Sequence, residues 1–191
     1  MGQHKPALRL FGANSPDLLG RTVGLLRACT DEVWVSCRRG QTVADLHCVY
    51  DRVEGIGPIG AVHALLHELA DSSCDAALVL SCDLPFMNAA TLDRLIAARE
   101  QSTASSRLLT NYVQDETGYM ESLVAIYEQD ALPFFETALA SGLRQLSRVF
   151  TAEQRVDLRY TRNQALPFFN LNSPDELAEA QSIIAKNDYM E

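Results

Sequence analysis

Short apolar runs alternate along the chain with segments in which apolar residues recur every three or four positions. The runs 32–37 and 76–82 are typical of strands, and the second is apolar enough to be buried on both faces. Between them, residues 58–70 carry apolar side chains at helical spacing, which predicts a helix that begins after a glycine-rich turn. This alternation predicts an α/β fold, in which helices cover both faces of a mostly parallel sheet.

Further elements are predicted on either side of this core: helices over 16–28, 88–99, 130–140 and 142–150, and strands over 122–127 and 168–172. Ser15 is the predicted N-cap of the first of these helices, and Pro16 occupies its first turn. Ser173 is the predicted N-cap of a last helix, with Pro174 in its first turn. No repeat or linker interrupts the pattern, and we therefore assign residues 1–191 to one domain.

Composition and charge narrow the classes of protein. The chain has 191 residues, of which 47% are hydrophobic and 21% charged, as in ordinary globular proteins. Its 25 acidic and 16 basic residues leave a net charge of −9, which argues against a nucleic-acid partner. No apolar run reaches the roughly 18 residues of a membrane span, and the first residues lack the apolar core of a secretory signal. We expect a cytoplasmic protein that binds neither nucleic acid nor membranes.

Cysteine and histidine do not form a recognisable metal motif. The five cysteines contain no C-x-x-C pair, and we expect reduced, mostly buried thiols rather than a zinc site. His63 and His67 are four residues apart on the predicted helix 58–70. Ala64 stands where the zinc-protease motif has glutamate, however, and no third ligand is evident. The pattern favours surface or half-buried helix residues over metal ligands.

The sharpest chemical feature is Asp83, which follows the apolar run 76–82 and precedes Pro85. In open α/β sheets ligands bind outside the carboxyl ends of the strands, so Asp83 lies where a catalytic acid or a Mg²⁺ ligand would be placed. An aspartate that merely caps the turn into the next helix is an equally good interpretation of its position.

Two weaker features could contact phosphate. The glycine-rich segment 54–60 leads into a helix and could bring main-chain N–H groups close to an anion, but it matches neither standard nucleotide-binding fingerprint. A tight strand-to-helix turn is therefore the favoured interpretation. Lys5 alone is typical of a solvated surface charge. No serine or cysteine stands in the setting of a catalytic nucleophile.

Taken in order, these segments resemble the molybdenum cofactor nucleotidyltransferase family, the MobA-like proteins. The C-D-x-P-[FY] segment at 82–86 and the N-x-N ending at 170–172 are the two strongest matches. Weaker matches are the end of the R-M-G-x-x-K signature at 1–5, a strand at 33–36, an acidic turn at 49–51, the G-P-L-x-G helix start at 57–60 and the E-P-L-x-A-x-Y strand at 121–127. The resemblance covers essentially the whole chain and implies a three-layer, Rossmann-like fold.

The resemblance also implies an activity: transfer of GMP from GTP to molybdopterin with release of pyrophosphate, with Mg²⁺ as cofactor. Asp83 would bind the Mg²⁺, and Lys5 would neutralise the nucleotide phosphates. Asp51 would contact the nucleoside. The positions implied for nucleotide binding are Lys5, Ser36, Asp51, Gly57 and Gly60. Asn170 and Asn172 would face the acceptor pterin, and molybdoenzymes or other proteins of cofactor biosynthesis are possible protein partners.

Two departures from the family pattern leave alternatives open. Ser36 stands where guanylyltransferases commonly have Asn. A cytidylyltransferase or a sugar-nucleotide pyrophosphorylase of the same architecture therefore remains an alternative. The family has a buried first strand and an L-x-G-G-x-S-x-R loop before the position of Met1, so we expect the first strand of the sheet to be missing. An upstream start, a degenerate relative that acts as a non-catalytic binding module, or another segment or chain in the strand's place would each account for this.

Overall fold

The computed structural model of the protein describes residues 5–53, 55–103 and 107–187. The α-helices in these ranges are α1 (Leu18–Arg27), α2 (Pro58–Ala70), α3 (Ala89–Gln101), α4 (Leu132–Ala140) and α5 (Pro174–Asn187). The strands are β1 (Trp34–Cys37), β2 (His47–Tyr50), β3 (Ala76–Leu80), β4 (Leu109–Gln114), β5 (Met120–Glu128) and β6 (Arg155–Tyr160). The fold is α/β, as predicted. None of the described helices has the length and apolar character to cross a membrane.

The strands form two ladders. β1 and β2 pair in parallel, and the other four strands lie in the order β3-β5-β4-β6. β5 is antiparallel to both β3 and β4, whereas β6 is parallel to β4, so β3, β4 and β6 share one direction. The first residues of β5 therefore lie at the same sheet edge as the carboxyl end of β3. This places the segment around residue 121 beside the segment that follows Leu80.

Side chains of each strand alternate between the two faces of the four-stranded sheet. Helices cover both of these faces. On one face Ile59 and Leu66 of α2 and Phe135 of α4 pack with Leu109 and Tyr127 of the strands. The opposite face is covered by residues of α3 and α1, Leu92, Leu95 and Leu25, which pack against Tyr112 and Ile126. The predicted three-layer arrangement is confirmed. Each large apolar side chain buried in these clusters contributes about 1.5–3 kcal/mol to folding.

A cavity of about 490 Å³ separates β1 from β3, and in the described ranges no strand pairs with both. Residues of α1 line it from one face of the sheet and residues of α2 from the other. All five residues of β3 remain only half-buried although the strand is apolar throughout. Among the described residues, β3 therefore pairs on one side only, with β5.

Two of the predicted elements are wrong. Residues 142–150 contain a 3₁₀ turn at Leu146–Arg148 instead of a helix. Residues 168–172 contain the end of a 3₁₀ turn, Leu166–Phe168, and no strand. There the N–H of Leu171 donates to the Asp83 carbonyl at 2.9 Å, outside any strand ladder.

The predicted start of the first helix is also wrong. α1 begins at Leu18, and its N-cap is Asp17, whose carboxylate accepts a hydrogen bond from the Gly20 N–H at 2.8 Å. Ser15 instead closes a turn, with its N–H and its hydroxyl both donating to the Gly12 carbonyl. Pro16 consequently lies before the helix.

The burial predicted for two residue types needs correction. His63 is buried and only His67 is half-buried, so the pair does not lie at the surface. All five cysteines are free thiols, but only Cys37 is buried and the other four are half-buried.

Candidate active site

Asp83 lies three residues beyond the end of β3. The Ser81 hydroxyl donates to Asp83 Oδ1 at 2.5 Å, and the Ser81 N–H continues the pairing with β5 by donating to the Leu123 carbonyl at 3.0 Å. The N-cap of the following helix is Asn88, whose side chain accepts from the Thr91 N–H at 3.0 Å. Capping of α3 is therefore not the role of Asp83. The structure presents its carboxylate at the sheet edge where α/β proteins bind ligands.

The turn that carries Asp83 is anchored by its neighbours. The Pro85 carbonyl accepts from Arg21 Nε at 3.1 Å, which connects the turn to α1. Phe86 is buried and packs edge to face against Phe169, with ring centroids 5.7 Å apart. Such aromatic contacts add about 0.5–1.5 kcal/mol to the gain from burial. They join the segment around Asp83 to the segment that precedes the N-x-N ending.

The N-x-N ending lies directly beside Asp83. The N–H of Leu171 donates to the Asp83 carbonyl at 2.9 Å, and the Leu171 side chain is buried. Asn170 and Asn172, on either side of it, are exposed. Glu176 accepts hydrogen bonds from the main chain of residues 172 and 173 and so closes the start of α5. The two segments that match the family pattern best are thus brought together.

Glu121 and two tyrosines belong to the same edge, and the sequence reasoning assigned them no role. Tyr160 donates its hydroxyl to Glu121 Oε1 at 2.5 Å. Burial raises the pKa of Glu121, and the hydrogen bond from Tyr160 opposes that shift. The pKa of Tyr119 is raised by burial first, and then by the charges of Glu121 and Asp83. Both carboxylates therefore act on one hydroxyl. The direction of β5, which places Glu121 here, is not readable from the sequence.

The residues expected to bind the nucleoside lie at the ends of β1 and β2. Ser36 is an exposed residue of β1, and Asp51 directly follows β2, which pairs with β1 in parallel. Ser36 also lines the cavity beside β3, together with Ser81 and Cys82. Ser36 and the two residues that precede Asp83 therefore line the same cavity, whereas Asp51 and Asp83 are not among its lining residues.

Gly57 and Gly60, at the start of α2, suit their positions for different structural reasons. Gly57 is the N-cap of the helix, with φ 75°, a conformation that side chains other than glycine rarely adopt. Gly60 is buried, and a Cβ at this position would lie 2.8 Å from Ile56 Cγ1. At Gly60, the structure therefore shows close packing between the turn that contains Ile56 and the helix. Gly57 exposes main chain at the helix start, where N–H groups attract anions.

Part of the expected phosphate site lies outside the described residues. This applies to residues 1–4, to Glu54 and to the side chain of Lys5. The main chain of Lys5 begins a 3₁₀ turn, Lys5–Ala7, that lies against α1. The role expected of the Lys5 ammonium stays a prediction.

The oxygen donors at this edge fit Mg²⁺. Asp83 offers a carboxylate, and Glu121 is a second carboxylate whose charged form is disfavoured by burial and would be favoured by a nearby cation. Hard oxygen ligands of this kind are those that Mg²⁺ prefers. Asp83 is the residue that would hold the ion.

Comparison with known proteins assigns the chain to a family. Residues 1–157 match the family model described as the MobA-like NTP transferase domain. The chain belongs to the MobA-like NTP transferase family. It is therefore a nucleotidyltransferase by family.

Curated MobA-like relatives align along most of their length. A probable molybdenum cofactor guanylyltransferase of Chloroflexus aggregans is 30% identical over 190 residues, which cover 96% of this chain and 88% of the relative. A protein of the same description from Pelotomaculum thermopropionicum is 28% identical over 98% of this chain and 88% of its own.

Solved structures share the MobA-like fold. Molybdopterin-guanine dinucleotide biosynthesis protein A from Archaeoglobus fulgidus superposes with a TM-score of 0.73 at 22% identity, over 97% of this chain and 92% of that one. The 2-C-methyl-D-erythritol 4-phosphate cytidylyltransferase of Thermus thermophilus has a TM-score of 0.65 at 18% identity, over 95% and 94% of the two chains. The predicted Rossmann-like nucleotidyltransferase architecture is confirmed.

Proposed function

We propose that this MobA-like protein transfers GMP from GTP to molybdopterin with release of pyrophosphate, using Mg²⁺. The observation that carries the proposal is the hydrogen bond from the Leu171 N–H to the Asp83 carbonyl. It joins the segment expected to bind the metal to the segment expected to bind the acceptor. Relatives that are named molybdenum cofactor guanylyltransferases support the choice of GTP and of the pterin acceptor.

The reaction is a substitution at phosphorus. A phosphate oxygen of the acceptor forms a bond to the α-phosphorus of GTP, and the bond from that phosphorus to the oxygen leading to the β-phosphate breaks. Pyrophosphate leaves with the electron pair of that bond. Such a step requires alignment and charge stabilisation more than a covalent nucleophile from the protein. This agrees with a site that is built from carboxylates and amides.

Each part of the site has a role in this proposal. Asp83 would hold the Mg²⁺, which when bound supplies positive charge to the phosphates. The Ser81 hydroxyl fixes the Asp83 carboxylate by its 2.5 Å hydrogen bond. Glu121 adds a second carboxylate, oriented by Tyr160. Asn170 contributes an exposed amide for the pterin.

The nucleotide side of the site is supplied by loops at the same edge. Main-chain N–H groups of the glycine-rich turn that ends at Gly57 would bind phosphate, because Pro58 has no N–H and the Gly60 N–H already donates to the Gly57 carbonyl at 3.0 Å. Asp51 and Ser36 would contact the nucleoside, and Lys5 would neutralise phosphate charge. Asn172, next to the start of α5, would bind the acceptor together with Asn170.

The proposal is tested by pyrophosphate release from GTP and from CTP, each with molybdopterin and Mg²⁺. We expect turnover with GTP in preference to CTP. Asn170→Ala and Asn172→Ala are expected to raise the KM for molybdopterin and to leave the affinity for GTP unchanged. A preference for CTP would make the protein a cytidylyltransferase instead. Affinity for molybdopterin with no nucleotide binding would identify a non-catalytic binding module.

A further inference from the structure

A cluster of metal-ligating side chains lies where α2 packs against α4, among residues that the proposed reaction does not use. His63 and His67 are one helical turn apart on α2, and Glu136 belongs to α4. His67 Nε2 is 3.1 Å from His63 Nε2 and 3.8 Å from Glu136 Oε1. One ligand atom from each of the three residues lies within 4.8 Å of the other two. The third ligand that the sequence did not reveal comes from a different helix, far along the chain.

The two imidazoles already have the spacing of ligands on one ion. Zinc–nitrogen bonds are about 2.0–2.1 Å long, so two nitrogens on a tetrahedral zinc lie about 3.4 Å apart. The observed separation of the Nε2 atoms of His63 and His67 is close to this value, at 3.1 Å. The rings are nearly perpendicular, with an interplanar angle of 85°. The Glu136 side chain must come nearer, and it is 55% exposed and can rotate.

His63 is a buried residue whose ring is held by one hydrogen-bonding contact. Its Nε2 faces His67 Nε2, a contact in which one imidazole N–H can donate to the other nitrogen. His63 Nδ1 is buried without a hydrogen-bond partner in the described part of the chain. A cation between the two Nε2 atoms would replace their single hydrogen bond with two metal–nitrogen bonds, because neutral imidazole is the form that binds metals.

We propose that His63, His67 and Glu136 form a Zn²⁺ site with an open fourth position for water. Two imidazoles and a carboxylate suit Zn²⁺, whereas Mg²⁺ prefers oxygen ligands alone. The ion would cross-link α2 to α4. The site uses none of the residues assigned to the proposed transfer reaction and does not depend on that reaction.

Titration of the metal-free protein with Co²⁺, a coloured substitute for Zn²⁺, tests this site. We expect one Co²⁺ per chain, with the visible absorption of a tetrahedral ion, and displacement by Zn²⁺. His67→Gln and Glu136→Gln change partly exposed side chains and should leave the fold intact. Each should weaken Co²⁺ binding by about 100-fold, the upper end of what loss of a supporting group costs a metal site. His47→Gln is the matched control, because His47 forms another histidine–carboxylate pair, with Glu68 at 3.6 Å, and its variant should bind like wild type.

The cysteines require a second control. Cys37 Sγ and Cys48 Sγ lie 3.2 Å apart and could bind the same ion. The double variant Cys37→Ser, Cys48→Ser should retain full Co²⁺ affinity, and the spectrum should lack a sulfur-to-cobalt charge-transfer band. The proposal is overturned if wild type binds no stoichiometric Co²⁺, if the double variant loses binding, or if folded His67→Gln and Glu136→Gln proteins bind as tightly as wild type. Far-UV circular dichroism and thermal unfolding without metal establish that the variants are folded.

Discussion

Arg99, near the end of α3, pairs with two carboxylates in different surroundings and so allows an internal comparison. Its guanidinium donates to Asp75 Oδ2 at 2.8 Å and to both Glu128 oxygens at 2.9 and 2.7 Å. The Asp75 side chain is 85% exposed, whereas that of Glu128 is 11% exposed. Arg107 also donates to Glu128 Oε1, at 2.8 Å. Glu128 ends the strand β5 whose first residues carry Glu121.

The two pairs differ in what the loss of one charge does to its partners. Glu128→Gln keeps the size of the side chain but leaves Arg99 and Arg107 half-desolvated without their carboxylate. Removal of one member of a buried pair costs about 3–5 kcal/mol. Asp75→Asn removes a charge that water largely screens, and exposed pairs contribute about 0.2–1 kcal/mol. We expect the first variant to lose several times more stability than the second.

Urea unfolding at pH 7, followed by circular dichroism, measures both variants. With a slope of about 2 kcal/mol/M, typical of small proteins, Glu128→Gln should lower the midpoint by about 2 M and Asp75→Asn by less than about 0.5 M. Added salt should reduce the effect of Asp75→Asn further. Equal losses in the two variants would refute the argument that burial makes the difference.

Three further predictions concern two helix glycines, the site edge and the thiols. Gly60→Ala should lower the free energy of unfolding by about 1–3 kcal/mol because its Cβ would meet an atom at 2.8 Å. Gly24→Ala, where the Cβ meets no atom within 4 Å, should raise it by up to about 1 kcal/mol in the same urea assay. Burial raises the pKa of Glu121 above its ordinary 4.5, so wild type loses stability as pH rises from 4.5 through the raised value. The stability of Glu121→Gln relative to wild type should therefore increase between pH 4 and pH 8, and a pH-independent difference would contradict the shift. Cys48, whose pKa is lowered mainly by the hydrogen bond from the Cys37 thiol, should react with iodoacetamide at pH 7 faster than Cys37, whose pKa burial raises to about 11. Peptide mass spectrometry of the labelled protein would show the reverse order if this is wrong.

Elements with strong local signals were predicted well. Helix α2 covers the predicted residues 58–70, because its apolar spacing and its proline and glycine start all favour one boundary. The apolar run at 76–82 gives β3, which ends at Leu80. The start of α1 was missed by two residues because Ser15, Pro16 and Asp17 all suit a helix start, and tertiary contacts choose among them.

Other strands are hidden from sequence because their residues do not look like strand residues. β4 contains Thr110 and Asn111, both fully buried, so its polar side chains interrupt the apolar pattern. β6 carries Arg155, Asp157 and Arg159, and its sequence therefore has the pattern of a polar segment rather than of a strand. Both strands are defined by pairing with each other across the sheet. Long-range pairing of this kind overrides local propensity.

The candidate site was predictable where a motif carries it. Asp83 and the N-x-N ending were predicted to share a site, and their main chains are hydrogen-bonded to each other. The strand expected over 168–172 was wrong because the Leu171 N–H is used by this contact. The sequence did not indicate a role for Glu121, because the position of this residue depends on the antiparallel pairing of β5 with β3 and β4. Glu136, likewise, meets His67 only through the packing of two helices.

The most direct test of the account is pyrophosphate release by Asp83→Asn with GTP, molybdopterin and Mg²⁺, measured beside wild type and beside Asp130→Asn. Asp130 is an exposed aspartate that follows the far end of β5 and serves as the matched control. We predict that Asp83→Asn loses Mg²⁺-dependent turnover by about 100-fold or more, as expected for a group that holds a charge-stabilising ion, while Asp130→Asn retains it. Turnover and Mg²⁺ dependence in Asp83→Asn equal to those of wild type would contradict the central claim.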